Sequence, residues 1–412
     1  MSRMVRCGYV VWLMAAGTAC SSPGGGGGAG GDGSTGRGGT QGDARGGGTG
    51  DGSAGGAGGP GGVGGGNGGL APNRCSSTLP AAAQPADVSR PTTVVGTGTA
   101  ASCTFAALQA AVMKGGVVTF DCGAAPVIVA VTATLAPPTA MDTVIDGGNR
   151  VTLDGQDAVR IISFNHSGFM ANNARLTLQH LTLVNGRTTP TNKIPTAPAP
   201  CSQGWDDGQG GALYMRDGNL SVIDCTFSHN HAAPLGPDTG GGAIYVLGSK
   251  TGVTIVGSVF TENAASNAGA VGGLFAHLAI YNSLFKSNTA TGNGANSDDA
   301  SKCSVINNGQ HEVGSGGNGA AIYQDGGSAT NVVLCGDDIV DNAAGMGAFG
   351  GGVFMTSNDF TGTLTVRDSI ITGNRGGSWT QLREGGVTDL GTAFGVNAKS
   401  ATVQGSMLQG IR

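Results

Sequence analysis

The chain has little charge and few aromatic residues for its length. Of its 412 residues, only 11% are Asp, Glu, Lys or Arg, and only 5% are Phe, Trp or Tyr. The net charge of −5 comes without a visible basic stripe, which argues against nucleic-acid binding. No stretch after residue 20 is apolar enough to predict a transmembrane helix. The nine cysteines do not follow the spacing of a zinc site, so metal binding by cysteine is not expected.

Glycine, by contrast, is abundant. The chain has 80 glycines, and more than half of the segment 24–69 is glycine. Such a segment buries too little apolar surface to offset its chain entropy, so it is predicted to be disordered. It has no Gly-X-Y period, which excludes collagen. We therefore expect a linker over 20–74, an extended lead-in over 75–100 and one elongated domain over 101–412.

An eleven-residue phrase returns, with variation, along the second half of the chain. Each copy has apolar residues at positions 1, 3 and 8 and a small or polar residue at position 6, and all but the last have Asn at position 11. The copies span 220–230, 253–263, 278–288, 332–342, 364–374 and 401–411. Self-similarity on this scale predicts a solenoid.

Stacking of the copies predicts which residues form the core. One copy cannot bury the apolar face of its strand alone, whereas stacked copies place like residues on like. The internal column is predicted to be Phe227, Phe260, Phe285, Ile339 and Ile371. A second column, at the bend after the strand, is predicted to be a ladder of Asn230, Asn263, Asn288, Asn342 and Asn374. Asn suits a bend because it tolerates a left-handed backbone and its amide binds neighbouring groups.

The repeat resembles that of a known family. Gly-Gly-Ala-Ile at 241–244 and Phe-x-x-Asn at 227–230, 260–263 and 285–288 are similar to the repeat of the polymorphic outer-membrane proteins, within the pectin-lyase-like superfamily. The resemblance covers roughly residue 101 to the end. It implies an all-β fold, a single-stranded right-handed parallel β-helix. It implies no single activity, because this superfamily holds lyases, hydrolases, adhesins and inert surface proteins.

The first twenty residues predict export. Residues 1–19 contain Arg3 and Arg6, then an apolar run and small residues, which is the pattern of a secretory signal peptide. Gly-Thr-Ala-Cys at 17–20 resembles a bacterial lipobox, which implies a lipid on Cys20. A lipid followed by a flexible linker predicts a lipoprotein of the outer membrane, at the cell surface or on the periplasmic face. Ordinary cleavage after residue 19, which gives a secreted protein, is the alternative.

The start of the domain is predicted to carry a helical cap. Residues 102–115 indicate an amphipathic helix ended by Gly115 and Gly116, which would cover the first layer of the core. Cys103 and Cys122 flank this helix and the strand that follows it. In an exported protein, a disulfide between them is the natural interpretation.

The other cysteines allow several pairings. Bridges Cys201–Cys225 and Cys303–Cys335 would fix the two largest loops to the coils and would leave Cys75 unpaired. Sequence alone does not decide among the possible pairings, so these bridges are hypotheses.

Acidic residues are the candidates for chemistry, because the enzymes of the resembled superfamily work with Asp clusters, Ca²⁺ and a basic residue. Asp206 and Asp207, beside Trp205 in a loop, form the better pair and could bind a sugar or Ca²⁺. A solvated loop is the alternative. Four earlier carboxylates stand in turn contexts, which favours a structural role: Asp142, Asp146, Asp154 and Asp157.

His229 and His231 are the only close pair of histidines. Both flank the ladder residue Asn230, and no third ligand is recognisable, so no metal site is predicted.

The leading functional hypothesis is a non-enzymatic surface protein, anchored in the outer membrane by its lipid, that presents its loops to a glycan or to another surface protein. A polysaccharide lyase or glycoside hydrolase acting through Asp206 and Asp207 is the first alternative, and a purely structural envelope component is the second. No cofactor beyond possible Ca²⁺ and no nucleic-acid partner are expected. The ligand and the oligomeric state stay open.

Overall fold

The computed structural model describes residues 74–194, 203–292, 315–327, 330–345, 348, 350–357, 359–376 and 393–409. These residues belong to one compact unit. The predicted signal peptide, Cys20 and nearly all of the linker lie outside the described residues, as do Cys201 and Cys303.

The described residues form one α-helix, two short 3₁₀ turns and 26 strands. The helix is α1 (Phe105–Lys114), and the 3₁₀ turns are Ala81–Ala83 and Ala100–Ser102. The largest sheet contains β1 (Thr93–Val95), β2 (Gly116–Phe120), β3 (Val127–Ala130), β4 (Thr143–Asp154), β6 (Arg175–Val184), β8 (Asn219–Ile223), β9 (Thr226–Ser228), β11 (Val253–Val256), β12 (Val259–Thr261), β15 (Leu278–Tyr281), β16 (Leu284–Lys286), β19 (Val332–Cys335), β20 (Asp338–Val340), β22 (Thr363–Arg367), β23 (Ile370–Thr372), β25 (Ser400–Gln404) and β26 (Met407–Leu408). A second sheet contains β5 (Ile162–Asn165), β7 (Leu213–Arg216), β10 (Ile244–Leu247), β14 (Val271–Leu274), β18 (Ile322–Gly326), β21 (Val353–Ser357) and β24 (Phe394–Asn397). A third, short sheet pairs β13 (Ala264–Ala265) with β17 (Thr289–Ala290).

The strands stack as the repeat predicts, and the prediction of an all-β parallel solenoid is confirmed. Each strand of one coil pairs in parallel with the equivalent strand of the next: β8 with β11, β11 with β15, and β15 with β19. The second sheet follows the same rule, since β10 lies between β7 and β14. Crossovers between parallel strands of one sheet are almost always right-handed, so right-handed winding remains the expectation.

The predicted internal column is also confirmed. Phe260 pairs with Phe227 on one side and with Phe285 on the other, and Ile339 and Ile371 continue the file. The three rings are stacked, with centroids 4.9 and 4.7 Å apart and planes within 3° of parallel. All three are fully buried. Parallel stacking follows from the register, because each ring repeats the rotamer of the ring one coil away.

The asparagine ladder forms through hydrogen bonds between the stacked amides, which is one of the two reasons given by the sequence. Asn263 Nδ2 donates to Asn288 Oδ1 at 3.0 Å, and the same oxygen accepts the backbone N–H of Asn263 at 3.1 Å. The remaining neighbours in the ladder are joined by the same pair of bonds. The prediction that Asn takes the left-handed conformation is wrong. The residue before it does, as at Glu262 with φ +57° and Ser287 with φ +57°.

A second ladder runs through position 6 of the repeat, where the sequence showed only small or polar residues. Its members are Cys225, Ser258, Ser283, Asp337, Ser369 and Ser406. The oxygen of each member from Ser258 onward accepts the backbone N–H of the member one coil earlier, at 2.8–3.2 Å. These bonds satisfy buried N–H groups at a bend that ordinary strand pairing does not reach.

Glycine occupies the corner before the second sheet. Gly241 has φ +65°, and a Cβ on Gly242 would lie 2.2 Å from the carbonyl oxygen of Gly269 in the next coil. No side chain fits there, as the paired glycines predict.

The cap forms at the start of the solenoid. Helix α1 begins after Thr104, whose side chain accepts the N–H of Ala107, and ends at Gly115 with φ +72°. It is three residues shorter at its start than the sequence indicates. Cys103 and Cys122 are joined in a disulfide, as predicted.

Two of the hypothetical disulfides are wrong. Cys335 is bonded to Cys75, not to Cys303, so Cys75 is not the unpaired cysteine. Cys225 is a free, buried thiol and therefore does not bond Cys201. Burial raises the pKa of the Cys225 thiol to about 12, so it is held protonated.

The bridge at Cys75 shows the course of the lead-in, residues 74–95, which we call the strap. The strap starts beside β19, where the backbone N–H of Cys75 donates to Asn282 Oδ1 at 2.9 Å. It runs back along the largest sheet, packs Ala83 against Ile223 and Val256, and ends as β1, which pairs with β2. From β2 to β19 is six coil steps, or roughly 29 Å at the spacing of paired strands.

Candidate functional site

The candidate site is a groove beside the first coils, between the strap and the solenoid. It encloses about 520 Å³. Its walls include Val88 of the strap, Phe120 at the end of β2, Asp121 directly after β2, and Asp146, Arg150 and Val151 of β4. Strand β4 is continuous through both halves of its coil, and it therefore carries groove residues on both sides of one bend.

The groove combines an aromatic ring with charges of both signs. Phe120 is half-buried, whereas Asp121 and Arg150 are exposed. An apolar face next to a carboxylate and a guanidinium suits a ligand that has both C–H surfaces and hydroxyl groups. With two carboxylates and one guanidinium, the groove has no excess of positive charge, so it does not favour an acidic polysaccharide.

Asp146 is the buried floor of this site. Its carboxylate accepts the N–H of Gly148 at 2.7 Å and Nε2–H of Gln179 at 2.8 Å, and lies 3.2 Å from His180 Nδ1. Gln179 also accepts the N–H of Ala86 at 2.8 Å, so the same amide fixes the strap. The Asp146 carboxylate is therefore engaged in holding the groove together rather than free to take part in proton transfer.

A second carboxylate faces the other side of the histidine. Asp224 Oδ2 lies 3.8 Å from His180 Nε2. Burial raises the pKa of Asp224, and the charge of His180 opposes the rise. The three side chains span three successive coils and link them at the bend next to the groove.

The sequence-predicted pair Asp206 and Asp207 lies elsewhere and is divided in role. Both oxygens of Asp207 accept hydrogen bonds, from the N–H and hydroxyl of Thr191 and from the N–H of Asn192, at 2.7–3.0 Å. Burial raises the pKa of Asp207, but these bonds outweigh burial and hold it below its ordinary value. A carboxylate saturated by N–H and O–H donors fits a loop clamp rather than a Ca²⁺ ligand.

Asp206 is the less constrained of the two. It is exposed and accepts Nδ2–H of Asn192 at 2.6 Å. Burial and the charge of Asp207 raise the pKa of Asp206. Trp205 is half-buried and donates its backbone N–H to the carbonyl of Leu235 at 3.0 Å.

The remaining early carboxylates are apart from the groove. Asp142 accepts the N–H of Arg175 at 2.9 Å, and Asp154 accepts the N–H of Gln156 at 2.8 Å. Asp157 lies 3.4 Å from His231 Nδ1. The Asp154 contact lies within a turn, and the Asp142 and Asp157 contacts join neighbouring coils; of the four carboxylates only Asp146 lines the candidate site.

The two histidines have separate partners. His229 Nε2 lies 2.5 Å from Glu262, whereas His231 faces Asp157. In the part of the chain that the structure describes, no three His, Cys, Asp or Glu side chains group closely enough to hold a metal ion. No helix within the described ranges has the length and hydrophobicity needed to cross a lipid bilayer.

Sequence reasoning missed Asp121, Arg150, Gln179 and His180. They come from three different strands and belong to no repeat, so periodicity gives no signal for them. A charged residue directly after the strand that follows the cap was the one available indication, at Asp121.

Comparisons with known proteins return no similar protein: no family model, no curated protein and no solved structure matches the chain.

Proposed function

We propose that the protein is an exported, non-enzymatic binding protein whose groove takes a sugar unit of a neutral glycan. The observation that carries the proposal is the combination of Phe120, Asp121 and Arg150 around one groove of about 520 Å³. An aromatic face packs against the C–H side of a pyranose, while carboxylate and guanidinium groups bind its hydroxyls. The scaffold beneath is fixed by two disulfides and by the engaged carboxylate of Asp146.

The rigid setting supports recognition rather than catalysis. Asp146, the one buried carboxylate of the groove, already accepts from Gly148 and Gln179. A general acid or base needs a carboxyl group free to exchange its proton with a substrate. The groove thus offers positions for binding a sugar, and its described lining holds no second free carboxylate opposite Asp121.

The proposal includes the subcellular location of the protein. We infer a lipid on Cys20 and attachment to the outer membrane, on a parallel β-helix related to the pectin-lyase-like superfamily. Two disulfides, Cys75–Cys335 and Cys103–Cys122, support an oxidising compartment. Mass spectrometry of the mature N-terminus tests the anchor, because a diacylated Cys20 and an unmodified residue 20 differ in mass.

A glycan array followed by titration calorimetry tests the groove. We expect the wild type to bind one class of neutral oligosaccharide. Asp121→Ala and Arg150→Ala should each weaken binding about 10- to 100-fold, the usual effect of removing a hydrogen bond to a charged group. Lys250→Ala, an exposed cation outside the groove lining, is the matched control. Absence of any bound glycan, or unchanged affinity of both groove variants, contradicts the proposal.

A polysaccharide hydrolase or lyase is the second candidate, and the raised pKa of Asp206 beside Asp207 favours it. Burial, and then the charge of Asp207, raise the pKa of Asp206, and a pair of carboxyl groups whose pKa values are pushed apart is the arrangement of acid–base catalysis. The assay is release of reducing ends or unsaturated products from a polysaccharide panel. Activity that is lost in Asp206→Ala supports this candidate, and no activity in the wild type eliminates it.

A further inference from the structure

A second surface feature lies at the bend between the second sheet and the largest sheet. Two side chains of the loop 166–172 are exposed there: Phe169 is 49% exposed and Met170 is 38% exposed. The loop itself is held firmly, because the fully buried carboxylate of Asp217 accepts the N–H groups of Ala171 and Asn172 at 2.8 and 3.0 Å. The exposed ring is thus carried by an ordered loop.

Phe275 contacts this ring from a coil three steps further on, because β5, β7, β10 and β14 follow one another in the second sheet. The two ring centroids are 5.4 Å apart with planes at 78°, which is an edge-to-face contact. Asp217 and Gly248 occupy the two intervening positions of the stack, and a Cβ on Gly248 would lie 3.0 Å from the ring of Phe169. The glycine leaves the space in which the two rings come together.

The backbone of Phe275 is in an unusual conformation for its residue type. It has φ +55°, in the left-handed region, and the stacked positions of the two preceding coils are Asp217 and Gly248, also left-handed. Asp and Gly tolerate this region, whereas a bulky aromatic residue adopts it at a cost in free energy. Strain of this kind persists where the surrounding structure fixes it, and it marks candidate functional positions.

The size of the patch limits its partner. Two partly exposed phenylalanines and one methionine offer roughly 200–300 Å² of apolar surface, given that an aromatic side chain can bury 150–250 Å². A stable protein interface needs about 800 Å² on each partner. The patch is therefore too small for a protein and matches the face of one sugar ring.

We propose that Phe169 and Phe275 form a stacking platform for a pyranose unit, a second glycan contact that is separate from the groove. This inference rests on the proposed function, because it assigns the same class of ligand. The groove lies at the bend in the middle of β4, within the largest sheet. The platform lies at another bend, where the chain passes from the second sheet to the largest sheet, between β5 and β6 and between β14 and β15. A long glycan that reaches both contacts gains affinity from the second contact, whereas a short oligosaccharide reaches only one of them.

Phe275→Gly and Phe169→Ala test the platform. Phe275→Gly removes the ring and relieves the left-handed backbone, so it should fold at least as stably as the wild type. Binding to the immobilised polysaccharide should weaken about tenfold in both variants, while affinity for a short oligosaccharide in the groove stays unchanged. Met113→Ala, which removes a 62% exposed apolar side chain on α1, is the matched control.

The outcomes separate the two proposals. Wild-type affinity of both platform variants for the polysaccharide overturns the platform, even if Arg150→Ala still weakens oligosaccharide binding. Polysaccharide binding that depends on Phe169 but not on Arg150 supports the platform and removes the groove. Loss of oligosaccharide affinity in Phe275→Gly, with unchanged stability, overturns the separation of the two contacts.

Discussion

Asp337 gives the sharpest test of the solenoid's internal chemistry. It is the one carboxylate in a ladder otherwise made of serine hydroxyls and a thiol, and it is fully buried. Its oxygens accept the N–H of Ser283 at 2.8 Å and that of Cys335 at 2.9 Å. Desolvation raises the pKa of Asp337 from 3.8 to about 8, although both hydrogen bonds and the charge of Arg74 oppose the rise.

The sign of the pH dependence follows from this shift. The native state holds the Asp337 proton more tightly than the unfolded chain does. The stabilisation of the native state by this proton is therefore complete below about pH 4. It is lost as the pH rises towards about 8, where the buried carboxyl must ionise. About four pKa units at 1.36 kcal/mol each give about 5 kcal/mol of lost stability at alkaline pH.

Asp337→Ser replaces the carboxylate with the residue type that the ladder uses elsewhere. The introduced hydroxyl would still accept the N–H of Ser283 but not that of Cys335, so at pH 4 the variant should lie within about 1 kcal/mol of the wild type. At pH 8 it should be more stable by several kcal/mol. Urea unfolding at pH 4, 6 and 8 measures the difference.

A control variant separates ionisation from ladder damage. Ser258→Ala removes a ladder hydroxyl two coils away and should cost about 1–2 kcal/mol at every pH. If the stability difference between Asp337→Ser and the wild type is the same at pH 4 and pH 8, the argument that Asp337 is protonated in the native state is refuted.

Three further predictions concern the framework. Asn288→Ala should lower the free energy of unfolding by about 2–4 kcal/mol in urea, because it leaves the buried backbone N–H of Asn263 without its acceptor and the carbonyl of Phe260 without this donor. The exposed Asn165→Ala should change the free energy of unfolding by less than about 0.5 kcal/mol. Gly257→Ala should lower the free energy of unfolding by more than about 1 kcal/mol, because the new Cβ would lie 2.1 Å from Asp224 Oδ1 on a backbone with φ +58°. Adding Asp224→Gly should recover part of that loss. Additive effects of the two substitutions in a double-mutant cycle would contradict this reason. Peptide mapping of the unreduced protein should find the disulfides Cys75–Cys335 and Cys103–Cys122. Cys75→Ser should lower the free energy of unfolding by about 2–5 kcal/mol. A peptide that links Cys303 to Cys335 would show that the course described for the strap is wrong.

The parts of the fold that repeat could be predicted from sequence. Phe227, Phe260 and Phe285 occupy the same position of three copies, and stacking in register puts them in one file whatever the lengths of the loops between them. The cap was predictable for a different reason, since Gly115 is an ordinary signal for the end of a helix; the start was placed three residues too early, because the N-cap is Thr104.

The strap and the groove could not be predicted in this way. The sequence argument paired Cys335 with a cysteine nearby in the chain, whereas its partner is 260 residues away, at the end of a segment that returns along the coils. Nothing periodic marks that return. Asp121 and Arg150 likewise line one groove only because β2 and β4 are neighbours in the stack, and neither belongs to the repeated phrase.

One signal was present in the repeat and carries physical information beyond the core columns. Position 5 alternates along the six copies between a short polar residue and glycine: Asp224, Gly257, Asn282, Gly336, Asp368 and Gly405. All six are left-handed, with φ between +49° and +75°. In each pair the side-chain Oδ1 of the polar residue would lie only 2.1–2.6 Å from a Cβ on the glycine one coil later.

A polar residue at this position of one coil therefore requires glycine at the same position of the next coil, and the alternation couples neighbouring coils in pairs. The copies of such a solenoid are not interchangeable, because the side chain at each bend sets which residue its neighbour can hold.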